Sequence, residues 1–127
     1  MKIPALPQIL RLHEQILSFF GGGTGVRDIG LAESAVNAPS AVFSGMEPYV
    51  TLEEKAARLG WGLVSNHAFV DGNKRIGAHA MLVALRLNGV DLEYTQNEFV
   101  SIIMDTASGK AGYEDLLEWI INHKQKK

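Results

Sequence analysis

The sequence predicts an all-α fold, a compact bundle of about six helices around a buried central helix, with a short flap or hairpin. Three features predict it: apolar residues recur at helical spacing in most segments, two T-x-x-E capping boxes open helices, and the stretch after residue 72 is apolar on nearly every side. There is no sustained strand pattern and no repeat. With 127 residues, 46% of them hydrophobic, we expect one domain spanning residues 1–127.

The first predicted helix carries apolar residues at helical spacing from Leu6 to Phe20, with Pro4 and Pro7 at its start. Gly21 should end it. The segment GGGTG (21–25) has the look of a phosphate-binding loop, but no strand precedes it and no Lys-Ser or Lys-Thr pair follows it. We interpret it as a plain helix-ending linker.

A second short helix is predicted over residues 29–38, because Asp28 is suited to its N-cap and Pro39 ends it. The hydrophobic pattern of residues 40–50 is irregular, and Gly45 and Pro48 interrupt it. This segment is equally compatible with a short hairpin or flap and with a loop that packs on the core.

Four further helical signals follow. Thr51 and Glu54 form a capping box for a helix that runs to about residue 66, and a fourth helix is predicted over 73–88, with a left-handed stop at Gly89. A short extended connector, 90–94, separates it from the last two helices. Thr95 and Glu98 open the fifth helix, which Gly109 ends, and the sixth should span 113–123.

Composition excludes several classes of function. A net charge of −2 gives no electrostatic reason to expect nucleic acid, and the basic end, Lys124, Lys126 and Lys127, is short enough to be a solvated terminus. Without cysteine there is no disulfide framework and no thiolate site. The start of the chain lacks a signal-peptide pattern, and charged or polar residues interrupt the longest apolar stretch. We expect a cytoplasmic protein with no membrane partner.

The densest chemistry lies in residues 66–77, NHAFVDGNKRIG, between the third and fourth helices. If the fourth helix starts near Gly72, its free N–H groups face the loop that carries His67, and such helix starts bind anions. Lys74 and Arg75 add positive charge at the same end, against the preference of the helix dipole. Because such cations cost stability unless an anion offsets them, we expect an anionic ligand here.

Three residues of this stretch have candidate roles. Asp71 can cap the helix and pair with Lys74 or Arg75, or it can hold a Mg²⁺ that bridges phosphate oxygens, which we favour beside two cations. His67, with a reference pKa of about 6.5, can act as a general base toward a hydroxyl, or it can be a structural histidine satisfied by backbone groups. Phe69 is interpreted as the apolar anchor of the loop.

The other three histidines are weaker candidates. His79, one turn after Arg75, can approach the site, but on so apolar a helix we expect a hydrogen-bonded core residue. His13 with Glu14 lacks the second histidine of a zinc motif, and His123 suits the last turn of a helix.

HAFVDGNKR resembles the signature loop of the Fic and death-on-curing (Doc) family, usually written H-P-F-x-D-G-N-G-R-x-x-R. The loop matches that pattern at His67, Phe69, Asp71, Gly72, Asn73 and Arg75. Residues 20–39 and LRLNGV (85–90) are also similar to the Doc branch, so that the resemblance covers most of the chain.

The resemblance implies a Fic fold that binds ATP as co-substrate together with Mg²⁺. In the family, the histidine at the position of His67 deprotonates a target hydroxyl, and the acid at Asp71 binds the metal. The phosphates are held at the positions of Gly72, Asn73 and Arg75, to which Lys74 adds a further cation here. A flap, here residues 42–49 with Val42, Phe43 and Tyr49, aligns the target's backbone as an added strand.

The chain departs from the majority pattern at Ala68, Lys74 and Ala78, which replace a proline, a glycine and the second arginine. The Doc branch shares the lysine, lacks that arginine and is a toxin that phosphorylates a threonine of elongation factor Tu. The resemblance therefore implies γ-phosphoryl transfer to a Ser/Thr hydroxyl of an elongation factor Tu-like target, which blocks translation. The alternatives are an AMP transferase of the Fic type and a non-catalytic partner-binding module.

Restraint of such a toxin is expected from outside the chain. Fic proteins that inhibit themselves carry S/T-x-x-x-E-G or S/T-x-x-x-E-N, and no Glu of this chain is followed by Gly or Asn. The resemblance thus implies an antitoxin, a toxin–antitoxin partner whose helical segment lies in a groove near the site.

Overall fold

The computed structural model describes residues 1–125, which form six α-helices and one 3₁₀ turn. The predicted all-α class is confirmed, since strand-like pairing within residues 1–125 is limited to three isolated bridges. Lys126 and Lys127, part of the predicted basic end, lie outside the described residues. In chain order the elements are α1 (Leu6–Phe20), α2 (Ile29–Asn37), the 3₁₀ turn (Ala38–Ser40), α3 (Leu52–Ser65), α4 (Asn73–Leu87), α5 (Gln96–Ser108) and α6 (Tyr113–Asn122).

The predicted helix ends are largely confirmed by their capping geometry. The Thr51 and Thr95 hydroxyls each accept the N–H of the residue three positions on, Glu54 and Glu98, at 3.1 Å. The two glutamates in turn accept the threonine N–H groups. Such reciprocal bonds satisfy N–H groups that a helix start leaves without partners.

Several helix boundaries differ slightly from the prediction, including the ends of α4 and α6, which come one residue early. Pro7 lies in the first turn of α1, whereas Pro4 precedes the helix, because the chain is still extended at the N-cap, Ala5. α2 ends at Asn37, one residue early, and Pro39 lies inside the 3₁₀ turn that follows.

The buried centre of the molecule is the pair α3 and α4. α4 buries seven residues, among them Gly77, whose Cα lies against α3. A Cβ at Gly77 would collide with the Val64 side chain and would lie 2.9 Å from the Gly60 carbonyl oxygen. α3 also contacts α2, α5 and α6, and α4 contacts α1 and α5, so that the pair holds the bundle together.

Residues 42–49 form a minimal hairpin, which decides between the two conformations that the sequence allowed. Phe43 and Met46 exchange two backbone hydrogen bonds, of 2.8 and 2.9 Å. Ser44 and Gly45 both have positive φ angles, 51° and 77°, which is the geometry of a two-residue type I′ turn. Val42, Phe43 and Met46 are exposed, so this flap stands out from the bundle.

No helix within residues 1–125 is both long enough and apolar enough to span a bilayer.

The Gly77→Ala substitution tests the close approach of α3 and α4. We expect it to destabilise the fold by about 1–3 kcal/mol, because the new methyl group overlaps Val64 and the α3 backbone. Urea unfolding measures the change. Ser101→Ala, on an exposed face of α5, is the control and should stay within about 0.5 kcal/mol of wild type. An unchanged unfolding midpoint for Gly77→Ala would contradict the packing described here.

Candidate active site

The loop between α3 and α4, residues 66–72, is closed by its own side chains. The Asn73 amide accepts the N–H of Phe69 at 3.1 Å and donates to the Phe69 carbonyl at 3.0 Å. The Phe69 side chain is buried, with 1% of its surface exposed. The side chain of Asn73 therefore supports the loop, and the backbone N–H of that residue has no acceptor within residues 1–125.

His13 of α1 holds the same loop from the opposite side. Its ring is buried and stacks on Phe69 with a centroid distance of 3.9 Å. The His13 Nε2–H donates to the carbonyl oxygen of Asp71 at 2.8 Å. The sequence did not predict this role, because the contact joins residues 58 positions apart and no local pattern indicates such a pair.

The glycine-rich segment 21–25 is more than the plain linker that the sequence predicted. Gly21 ends α1, but the residues after it run alongside the 66–72 loop, and the Gly25 carbonyl accepts the N–H of Val70 at 3.2 Å. The Ala68 carbonyl accepts the N–H of Arg27 at 2.8 Å. Gly22 lies so close that a Cβ there would be 2.8 Å from an Asp71 carboxylate oxygen, so the segment packs directly against the loop that carries Asp71.

Asp71 presents an ionised carboxylate at the surface. One carboxylate oxygen accepts the N–H of Gly72 at 2.8 Å, and the other accepts the N–H of Gly23 at 3.3 Å. These bonds, first that of Gly72 and then that of Gly23, lower the pKa of Asp71 below its ordinary value of 3.8, because they favour the charged form. The carboxylate does not form an ion pair with Lys74 or Arg75 within residues 1–125, so the pairing alternative for Asp71 is wrong.

The start of α4 is an uncapped helix N-terminus. Gly72 precedes it with φ 78° and provides no side-chain cap. Within residues 1–125, the N–H groups of Asn73, Lys74 and Arg75 have no acceptor. Three free donors and the positive end of the helix dipole thus meet at one point, which is the geometry that binds anions.

Lys74 and Arg75 are both exposed in this first turn. Neither forms a salt bridge within the described part of the chain. The Arg75 guanidinium lies over the Phe20 ring, 4.2 Å from its centroid. The two cations therefore add to the positive potential of the helix start without being neutralised by the protein.

His67 presents a free imidazole. Its backbone is held in a left-handed conformation, φ 54°, which is strained for a residue with a Cβ. The Arg27 Nε–H donates to the His67 carbonyl at 2.7 Å and fixes this turn. The ring is exposed and makes no hydrogen bond within residues 1–125, so the alternative of a histidine satisfied by backbone groups is wrong.

These groups face a single cleft of about 370 Å³. The flap residues Val42, Phe43 and Tyr49 do not line it. Val42, Phe43 and Tyr49 line a separate and larger cleft of about 860 Å³. The smaller cleft brings together the predicted site residues His67, Asp71, Gly72, Asn73, Lys74 and Arg75.

His79 differs from its prediction as a hydrogen-bonded core residue. It is half-buried and has no hydrogen-bond partner within residues 1–125. Burial, and secondarily the charge of Arg75, lower the pKa of His79. It lines a third, mostly apolar cleft of about 320 Å³ between the end of α1, α4 and α5, which Phe20 and Arg75 also line.

The donor set suits a metal ion only in partnership with a ligand. Within residues 1–125, no three His, Cys, Asp or Glu side chains lie together in a group that could hold a metal ion. A single ionised carboxylate beside free N–H donors nevertheless fits Mg²⁺, which commonly binds one or two carboxylates together with substrate phosphates. Asp71 is the residue able to hold it.

Within residues 1–125, an all-α bundle brings an uncapped helix start, an exposed histidine and two exposed cations together in one cleft, an arrangement suited to an anionic ligand. The chain belongs to the Fic/DOC family, whose model matches residues 4–85.

Two relatives support this assignment. The chain is 48% identical over 73 residues to the "Toxin Doc" of Mycolicibacterium smegmatis, a match that covers 58% of this chain and 56% of that protein. It is 29% identical over 103 residues to the "Protein kinase doc" of Escherichia phage P1, covering 81% of this chain and 80% of that protein. The match to the first relative thus spans little more than half of that protein's length.

Paired substitutions at His13 test its support of the loop. His13→Phe keeps a ring against Phe69 but removes the N–H donor, and His13→Gln retains a side-chain N–H. We expect His13→Phe to speed amide hydrogen exchange at Val70 and Gly72, whose N–H groups are hydrogen-bonded, by about three- to tenfold, the loss of one hydrogen bond, with His13→Gln closer to wild type. Amides of α6 serve as the internal control. Equal exchange at Val70 and Gly72 in all three proteins would contradict the assigned role.

Proposed function

We propose that this protein is a toxin that transfers the γ-phosphoryl group of ATP to a Ser or Thr hydroxyl of a translation factor, an elongation factor Tu-like target, and so blocks translation. The observation that carries the proposal is the cleft in which a free, exposed His67 faces an ionised Asp71 and the uncapped start of α4. The names of the two relatives, a toxin and a protein kinase, favour phosphoryl transfer over other chemistry.

The start of α4 is suited to hold the phosphates of ATP. Free N–H groups from Asn73 to Arg75 offer donors to phosphate oxygens, and the side chains of Lys74 and Arg75 offer full charges. Arg75 can leave the Phe20 ring for a phosphate, because a cation–π contact at an exposed site is worth only about 0.5–1 kcal/mol. Gly72, which has no side chain, leaves the backbone open to close approach.

His67 acts in this proposal as the general base. Its free ring takes the proton of the substrate hydroxyl as the hydroxyl oxygen attacks the γ-phosphorus. The new oxygen–phosphorus bond forms while the bond from the γ-phosphorus to the β,γ-bridging oxygen breaks, so ADP leaves and the proton remains on His67. Because the ring has no internal hydrogen bond to break, it is available for this transfer at little cost in reorganisation.

Asp71 holds Mg²⁺ in this proposal. When bound, the ion offsets the charge on the phosphate oxygens. The Asp71 carboxylate is kept in place by the N–H groups of Gly72 and Gly23. His13 holds the backbone of the same residue by donating to its carbonyl oxygen.

The flap is the proposed docking site of the target's backbone. A segment that pairs with a strand edge gains main-chain hydrogen bonds, while side-chain pockets set its specificity. Val42 and Phe43 are exposed on the flap, and Tyr49 lies at its base.

The proposed partner that restrains the toxin is an antitoxin helix in the cleft between the end of α1, α4 and α5. Phe20, Val100 and Met104 expose apolar surface there, and a helix in a groove is recognised through such anchors. A helix in that cleft would lie against Arg75 and Lys74, which also line it, and would thereby obstruct the phosphate site.

The transfer reaction is tested with purified protein, Mg²⁺ and a bacterial lysate, supplied in parallel with ATP labelled at the γ or the α phosphate. We expect the γ label alone to reach a protein band, and expression of the wild-type protein to arrest growth. His67→Ala should slow labelling by about two to four decades, as expected for loss of a general base. Arg75→Ala should weaken ATP binding, whereas Arg86→Ala, an exposed arginine on α4, should not.

Two outcomes would contradict the proposal. Transfer of the α label would identify an AMP transferase. Absence of labelling, together with growth arrest that His67→Ala leaves unchanged, would identify a non-catalytic binding module.

A further inference from the structure

A cleft of about 860 Å³ lies beside the flap and has one charged residue in its lining. That residue is Arg58 of α3. The rest of the lining is apolar or neutral, with Val42, Phe43 and Tyr49 from the flap side. Because the one charge in this lining is positive, the cleft favours a negatively charged group.

The Arg58 guanidinium is fixed in place by aromatic groups. Its Nε–H donates to the Tyr49 hydroxyl at 3.2 Å. The guanidinium carbon lies 4.8 Å from the centroid of the Trp61 ring and 5.9 Å from that of Tyr49. Aromatic faces attract a cation but do not neutralise it, so the arginine is held rigidly and keeps its full charge.

Gly62 makes room for this arrangement in the middle of α3. A Cβ at Gly62 would lie 2.7 Å from Nη1 of Arg58. A glycine inside a helix costs stability relative to alanine. Here the missing side chain of Gly62 leaves the space that the Arg58 guanidinium occupies. The position of Arg58 is thus built into the helix packing.

The charge of Arg58 has no carboxylate partner within residues 1–125. The side chain is partly buried, and its Nη1, which lies against Gly62, is buried without an acceptor. Lys55, one turn earlier on α3, shows the contrast: it is buried, but its Nζ donates to the Pro39 carbonyl at 3.0 Å and lies 3.4 Å from Glu47. Because a partly buried charge without a counter-ion is costly, the rest of the Arg58 guanidinium is suited to an anion from outside the described residues.

We propose that this cleft binds an acidic side chain, Asp or Glu, of the protein substrate, and that Arg58 thereby selects where on that substrate the phosphoryl group is placed. The inference rests on the proposed function. A peptide carboxylate is favoured over a nucleotide phosphate because the cleft is walled by the flap, and because the free N–H donors that suit phosphate lie elsewhere, at the start of α4.

The helix geometry sets the spacing of the recognised acid. Arg58 lies seven residues before Ser65, the last residue of α3, which is about 10 Å along the helix axis, and the His67 loop follows directly. An extended peptide spans about 10 Å in three residues. We therefore place the acidic residue about three to five positions from the Ser or Thr that is modified.

The test is a panel of twelve-residue peptides with one central Thr and one Asp walked through the other positions, each matched by an Asn peptide. Binding to the full chain is measured by fluorescence anisotropy without nucleotide, so the result does not depend on phosphoryl transfer. We expect Asp to bind about ten- to a hundredfold more tightly than Asn, in one window about three to five residues from Thr, as for a charge-assisted hydrogen bond. Equal binding of the Asp and Asn peptides, or no binding by either, would overturn the proposal.

Variants separate Arg58 from other causes. Arg58→Gln should abolish the preference for Asp, and Arg86→Gln should retain it. Tyr49→Phe keeps the ring but removes the hydroxyl that orients the guanidinium, and should reduce the preference even if Arg58→Gln fails to fold. A preference that persists in a folded Arg58→Gln protein would contradict the assignment. Calorimetry with Mg–ATP should give the same affinity for wild type and Arg58→Gln. If Arg58→Gln loses affinity for Mg–ATP as well as the preference for Asp, the arginine binds the nucleotide instead.

Discussion

Within residues 1–125, the first turn of α4 combines three N–H donors that have no acceptor with two cations that form no ion pair, and the rest of the site depends on this concentration of positive charge. A helix start of this kind is ordinarily relieved by a capping side chain or an acidic residue. Here Gly72 supplies no cap, and the nearby carboxylate of Asp71 is bonded to Gly72 and Gly23 instead. The charge is left for a ligand, and ATP is the polyanion that the proposed function assigns to it.

Keeping such a site open requires support from distant parts of the chain. His13 in α1 holds the Asp71 carbonyl, the glycine-rich segment runs alongside the loop, and the Asn73 amide closes the loop on Phe69. The close packing of Gly77 against α3 fixes the direction in which α4 points its N-terminus. In this arrangement the candidate site residues come from one stretch of twelve, 66–77, whereas their geometry depends on α1, α3 and α4 together.

Much of the fold was predictable because its signals are local. Capping boxes at Thr51 and Thr95 and stops at Gly21, Gly89 and Gly109 depend on neighbouring residues, and each one is found at its predicted position. The contacts of His13, Gly22 and Arg58 were not predictable in this way. His13 and Gly22 lie against Asp71, which is far from both in sequence. Arg58 contacts Tyr49 of the flap and Trp61 of its own helix through side-chain positions that no local pattern specifies. In the sequence alone, the glycine run looks the same as an ordinary linker, and a lone arginine looks the same as an ordinary surface charge.

The central claim, that the start of α4 holds the phosphates of a nucleotide, is tested most directly by NMR of the labelled protein during titration with Mg–ATP. The account predicts that the backbone N–H resonances of Asn73, Lys74 and Arg75 shift most, and that they and the His67 ring follow one dissociation constant. Saturable shifts centred on the cleft beside the flap, with the α4 amides unmoved, would contradict it.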